Sequence, residues 1–201
     1  SLVTDSQPRL FLWHDDALAA AKDRILSGDP SIQPSIDRLR SDIDRAFEFH
    51  PISVMDKAVI PPSGDKHDFL SQRPYWWPDP DSANGLPYIR RDGEINPEAS
   101  NFDADRLRAT CSAIETLALG WYFLDSELAA QHACRLLHVW FTDPATRMNP
   151  HLEYGQAVPG RSDGRSVGSI GTTAFCRLID AIGLLEVSGA MSAKDRTDLL
   201  M

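Results

Sequence analysis

The sequence predicts an all-α fold of antiparallel helical hairpins with little or no strand, a repeated plan that suggests part of an α/α toroid (an incomplete barrel) or a solenoid. Apolar residues recur at helical spacing in successive stretches, and capping and stopping residues bracket them. The links between these stretches alternate between short and long. Short links make hairpins, so consecutive helices run antiparallel and the long links leave from the same end.

The first helix is expected from about Asp15 to Ser27, with Asp15 as cap and Gly28 as stop. A second begins near Pro30 and carries Ile32, Ile36, Leu39, Ile43, Ala46 and Phe47 along one face. The long stretch Pro51 to Asn101, dense in Pro, Gly and Asp, reads as loop. A third helix, about Asp103 to Leu124, aligns Leu107, Cys111, Ile114, Leu117, Ala118 and Trp121. Asp125-Ser126 caps a fourth that ends near Phe141, and Thr142 to Gly168 is again irregular. The fifth runs from about Ser169 to Val187 and stops at Ser188-Gly189; Ser192 caps a sixth. Trp121 and Trp140 fall on apolar stripes and read as core.

At 201 residues the chain is long enough to bury a core. Its net charge of −9 argues against a nucleic-acid partner, which normally meets a basic footprint. An anionic ligand must therefore be held by local arginines rather than by the overall field. No apolar run is long enough to cross a bilayer, so no membrane partner is expected. The cysteines, Cys111, Cys134 and Cys176, are odd in number, lack any Cys-x-x-Cys and lie in apolar helical stretches. They read as buried free thiols rather than a zinc site or disulfide framework. No metal and no cofactor is expected: Asp79, Asp81, Asp92 and Glu94 share a loop, but an acidic loop without an EF-hand pattern is usually solvated.

The two long loops hold the unusual chemistry. The first contains Arg73-Pro74-Tyr75-Trp76-Trp77-Pro78, where the prolines exclude helix and leave flat rings suited to stacking on a sugar or base. Arg90 and Arg91 follow. The second contains Tyr154, Gln156, Arg161 and Arg165 among glycines. Arginine forks grip carboxylates through paired hydrogen bonds; the bland alternative is that they pair with Asp163, Glu153 or helix C-termini. His67 and His151 lie in these loops too, as donors to a sugar or, more ordinarily, as surface residues. His132 and His138, six apart on the fourth helix, do not share a face and read as packing or surface groups.

Several motifs together resemble the alginate lyase family. They are His67-Asp68-Phe69, Pro74-Tyr75-Trp76-Trp77-Pro78-Asp79-Pro80, Gly85-Leu86-Pro87-Tyr88-Ile89-Arg90-Arg91-Asp92-Gly93 and Asn96-Pro97-Glu98. Met148-Asn149-Pro150 followed by Tyr154, Gln156, Pro159-Gly160, Gly164-Arg165 and Gly168 fits the same pattern. The likeness runs from about Pro8 to the last residue. It implies a polysaccharide lyase acting on alginate or glucuronan, an α/α toroid, and a periplasmic or secreted location. There are two departures. Gly171 stands where family members commonly carry Asp, and the chain has no Asn-His pair. The family's catalytic Asn-His, Arg and Tyr are expected beyond Met201, so residues 1–201 look like the N-terminal part of a single toroid domain, truncated at its C-terminal end. An open, partly apolar edge and self-association through it are expected to follow.

The resemblance implies β-elimination, with the substrate carboxylate neutralised, a base taking the C5 proton and an acid protonating the departing O4. This half would supply the binding loops. Its expected substrate-binding residues are Tyr75, Trp76, Trp77, Arg90, Arg91, Tyr154, Gln156, Arg161 and Arg165. The alternatives are an α/α-toroid glycoside hydrolase and a non-catalytic carbohydrate-binding module.

Overall fold

The computed structural model describes residues 7–165 and 173–200. Gly168, Gly171 and the expected start of the fifth helix at Ser169 lie outside the described residues. The described helices are α1 (Asp15–Leu26), α2 (Gln33–Glu48), α3 (Asp103–Leu124), α4 (Glu127–Leu137), α5 (Ala174–Ser188) and α6 (Ala193–Leu200). Four short strands accompany them: β1 (Leu70–Gln72), β2 (Trp76–Trp77), β3 (Ile89–Arg90) and β4 (Tyr154–Ala157). The chain is mostly helical with a small amount of strand, so the all-α label holds only approximately. Strands of two to four residues are too short to display the alternation by which a strand is read.

The chain divides into two compact units. One, the helical unit, comprises Ser1–Pro51, Thr110–Thr142 and Ala174–Met201; the other, the loop unit, comprises Ile52–Ala109 and Asp143–Thr173.

In the helical unit, local rules explain most helix ends. His14 occupies the N-cap of α1 and makes no side-chain cap bond, so Asp15 is the first helical residue and not the cap. Its charge still suits the positive end of the helix. Gly28 stops the chain in the left-handed region at φ 71°. A tight turn at Pro30–Ile32, capped by Asp29, leads into α2. Ser126 accepts the Ala129 amide and caps α4, which continues as a π turn over His138–Thr142. Gly189, at φ 77°, follows α5.

Ile36 and Ile43 of α2, Leu117 of α3, Leu136 of α4 and Leu184 of α5 are buried. The helices α2 and α3 meet at Gly120, where a Cβ would lie 2.7 Å from the Ile43 side chain. Trp140 is fully buried as expected, whereas Trp121 is only half-buried. His132 is a packing group: its Nε2 donates to the Phe49 carbonyl at 2.9 Å, and Arg135 donates to Nδ1. The cysteines are free, with Cys111 buried, Cys134 half-buried and Cys176 exposed, against the expectation of uniform burial. Burial pushes the Cys111 thiol up to about 12.

Ser192 caps α6 reciprocally: it accepts from the Asp195 amide at 3.0 Å and donates to the Asp195 carboxylate at 2.6 Å. Thr142 also donates to Asp195, and His138 lies 2.8 Å from it. Burial works to raise the Asp195 pKa, but the bonds from Ser192, Thr142 and His138 outweigh it and hold the carboxyl at about 2. A depressed folded pKa means the stabilisation is present above the unfolded value of 3.8 and is lost as pH falls toward about 2. Asp195→Asn is therefore expected to cost about 2 kcal/mol near neutrality and to flatten the acid limb of the stability curve. Urea unfolding at stepped pH measures this; an acid limb as steep as wild type would contradict it.

In the loop unit, β1 and β4 pair in parallel, Leu70 with Tyr154 and Gln72 with Ala157, across a register shift. Gln156 lies in that shift at φ 57°, a left-handed conformation costly for a side chain other than glycine. The two long loops thus meet through main-chain hydrogen bonds. Asp68 reinforces the junction by accepting from Ser63 Oγ at 2.6 Å, Asn149 Nδ2 at 2.6 Å and His151 Nε2 at 2.8 Å. Burial opposes ionisation of Asp68, yet the bonds from Asn149 and Ser63 and the His151 ring hold it below the usual carboxylate range. His67 Nδ1 donates to the Arg147 carbonyl. His67 and His151 are accordingly ties between loops.

A second tie fixes the first loop to the start of α3. Lys57 and Asp103 are both fully buried and pair at 3.0 Å. Lys57 Nζ also donates to the Val54 and Lys66 carbonyls, each at 2.7 Å, while Asp103 accepts the Leu70 amide at 2.9 Å. Burial pushes the lysine pKa down and the aspartate pKa up, and their mutual attraction opposes both shifts.

Candidate functional site

The aromatic run is held open by its own backbone pairing. The antiparallel strands β2 and β3 set Trp76 opposite Arg90 and Trp77 opposite Ile89. Successive strand residues face opposite ways and cross-strand partners share a face. The expected site residues therefore fall into two groups.

On the Trp76 face, Arg90 is joined by two further arginines. Arg161 Cζ lies 5.3 Å from the centre of the Trp76 ring and Arg73 Cζ lies 5.8 Å from it. Arg161 is steadied by Nε, which donates to the Tyr88 carbonyl at 2.7 Å. Arg73 is half-buried, and its Nε is buried without a partner. Burial, together with the like charges of Arg165 and Arg90, pushes the Arg73 guanidinium below its ordinary value. Arg165 is exposed and is placed by its amide, which donates to the Gly155 carbonyl at 3.0 Å. Gly164 permits that approach, because a Cβ there would lie 1.7 Å from the Glu153 carbonyl oxygen.

On the other face, Arg91 Cζ sits 5.4 Å over Trp77, and the Trp77 indole donates to the Glu94 carbonyl at 2.9 Å. Arg91 also approaches the Glu94 carboxylate at 3.6 Å. Tyr75 is exposed, and its carbonyl accepts the Arg91 amide. Tyr154 is half-buried with its ring edge on His151 at 6.2 Å, and the Gln156 amide donates to Ser71 Oγ at 2.8 Å. Tyr154 and Gln156 thus belong to the junction of the loops.

The charges are unevenly compensated. Arg90 and Arg91 pair with Asp92 and Glu94, exposed contacts of small worth. Among the described residues, no carboxylate lies within ion-pair distance of Arg73, Arg161 or Arg165. Asp79 accepts the Asp81 amide, so the acidic loop is used in turns and exposed pairs. Among the described residues, no cluster of His, Cys, Asp or Glu is arranged to hold a metal ion.

Beside this face, Leu70, Gln72, Phe102, Val59, Ile60 and Pro159 help line a mainly apolar cleft of about 190 Å³. Gln72 Nε2 is buried there without a partner.

Sequence reasoning missed Arg73, although it directly precedes Pro74-Tyr75-Trp76. It also missed the supports. Buried Asn96 donates to the Trp76 carbonyl at 2.9 Å, and its amide donates to the Pro74 carbonyl at 2.6 Å. Nearby, Tyr88 donates to Glu98 at 2.9 Å; burial and that carboxylate push the phenol up to about 12. Asn96→Ala keeps the main-chain bond to Pro74 but is expected to release the Trp76 carbonyl and the Glu98 amide, at a cost of about 2 kcal/mol, as for other buried hydrogen-bonding groups. A red-shifted tryptophan emission should accompany the loss; unchanged emission and melting would contradict it.

Comparison with known proteins accords with the fold. The sequence profile of the alginate lyase family matches residues 53–199. The crystal structure of an alginate lyase from Bacteroides ovatus at 1.60 Å resolution superposes with a TM-score of 0.90 and 42% sequence identity, over 96% of this chain and 50% of that one. The present chain thus spans about half the length of that enzyme. No curated protein matches the sequence significantly. A family match over most of its length and a structural likeness at that identity place this chain in the alginate lyase family.

Proposed function

We propose that this chain works in a polysaccharide lyase that cleaves a uronic-acid polymer, alginate or glucuronan, by β-elimination, and that it supplies mainly substrate-binding loops. The observation that carries this reading is the pair of arginines at Trp76, Arg73 and Arg161, with no carboxylate partner among the described residues, in a chain of net charge −9. Such a cluster is suited to a polyanion that brings its own carboxylates.

Arg161, Arg165 and Arg90 hold uronate carboxylates of bound sugars. Tyr75 and Trp77 offer ring surface, and Arg91, Tyr154 and Gln156 shape the flanks. Neutralising the carboxylate at the cleaved sugar makes its C5 proton acidic; the base and acid, by family resemblance, are His and Tyr outside residues 1–201. The same resemblance supports an α/α toroid plan and a periplasmic or secreted location.

The test is incubation of the complete enzyme containing this chain with polymannuronate and with glucuronan. Ultraviolet absorbance from the C4–C5 unsaturated uronate supports a lyase. New reducing ends without that absorbance indicate a hydrolase, and binding without cleavage indicates a carbohydrate-binding module.

A further inference from the structure

Trp76 is already engaged. Two guanidiniums of its own chain, Arg73 and Arg161, lie within 5.8 Å and 5.3 Å of its ring centre. Each brings a positive charge to the ring, so their placement needs a reason. Elsewhere in the loop unit, Arg90, Arg91 and Arg108 pair with carboxylates two or three residues away. Arg73 and Arg161 do not, among the described residues. Arg161 spends its Nε on the Tyr88 carbonyl, which orients the guanidinium and leaves its charge uncompensated. Arg73 has a buried, unpartnered Nε, an uncommon condition for so strong a donor. Its backbone is fixed, because its amide donates to the Ala157 carbonyl at 3.1 Å. The main chain of Trp76 is fixed as well, through Asn96 on its carbonyl.

We propose that Arg73 and Arg161, each aligned by Trp76, act as guanidinium clamps for carboxylates of the substrate. Arg73 selects a charged over a neutral sugar, and Trp76 serves as a positioning residue for the arginines rather than as a platform for the sugar. The proposal rests on the uronate-polymer reading above and adds to it a residue and a division of labour. An arginine fork held against an aromatic face loses little freedom when it binds, and a planar carboxylate matches its geometry where a hydroxyl does not.

The experiment is calorimetric titration of the chain with oligomannuronate and with the same oligomer after reduction of its carboxyl groups. Wild type is compared with Arg73→Gln, Arg73→Lys, Trp76→Phe and Trp76→Ala, each checked for folding by its thermal melt. Arg73→Gln is expected to weaken oligomannuronate binding at least about tenfold and to make it less salt-dependent, with no change for the reduced oligomer. Arg73→Lys should recover only part, because the fork is lost. Trp76→Ala should reproduce the Arg73→Gln pattern, and Trp76→Phe, which keeps an aromatic face, should restore most of the affinity.

If Arg73→Gln and Arg73→Lys bind oligomannuronate like wild type, the clamp is overturned while the uronate reading stands. If Trp76→Ala weakens the charged and reduced oligomers equally, Trp76 is a sugar platform and the positioning role is overturned. If wild type binds neither oligomer, the uronate reading fails and the clamp fails with it.

Discussion

Lys57→Met is expected to destabilise the protein by about 3–5 kcal/mol, the cost of leaving one member of a buried ion pair without its partner. Both side chains are fully buried, and the ammonium spends its protons on Asp103 and the Val54 and Lys66 carbonyls. Removing it strands the Asp103 charge and releases two carbonyls at once. Asp103 already has one oxygen, Oδ1, buried without a partner, so little remains to absorb the loss. Adding Asp103→Leu to Lys57→Met should recover part of the stability, since replacing both charges by apolar groups removes the stranded carboxylate. Chemical denaturation of the two single variants and the double variant measures the coupling. A double variant less stable than either single would contradict this account of the pair.

The second large effect is at Asp180. This fully buried carboxylate accepts the amides of Phe11, Leu12 and Trp13 at 2.7, 2.8 and 2.6 Å, tying the N-terminal segment to α5. Gly183, one turn on, lets that segment pass: a Cβ would lie 2.0 Å from the Arg9 carbonyl oxygen. Asp180→Ala is expected to cost about 2–4 kcal/mol, because three charge-assisted bonds are lost. Exposed Phe11 and Leu12 can turn their amides to water, which limits the loss. Hydrogen exchange should show those three amides losing protection first. Unchanged protection at Phe11, Leu12 and Trp13 would contradict the assignment.

Features set by neighbours in sequence were readable in advance. Ser126, Ser192, Gly28 and Gly189 mark helix ends through bonds or backbone angles local to the chain, and α3 runs from Asp103 to Leu124 as its apolar stripe predicts. Features that depend on distant partners were not. The pairing of β1 with β4 joins residues far apart in sequence, and nothing in Leu70–Gln72 announces its partner. Lys57 and Asp103 look like ordinary surface charges until folding buries both.

The site shows the same division. Trp76, Arg161 and Arg165 stood out by residue type, but the separation of Trp76 from Trp77 comes from the antiparallel register of β2 and β3. Arg73 does not stand out in the sequence, because the burial of its Nε without a partner is a property of its surroundings. Loop membership groups Tyr154 and Gln156 with the arginines, and the structure sets both at the junction of the loops.

The central claim is that these loops recognise charge on a uronate chain. It is tested most directly by titrating the wild-type chain with oligomannuronate and with its carboxyl-reduced counterpart at low and high salt. The account predicts binding of the charged oligomer that weakens as salt rises, with the reduced oligomer bound far more weakly at both. Equal affinity for the two oligomers, independent of salt, would contradict it.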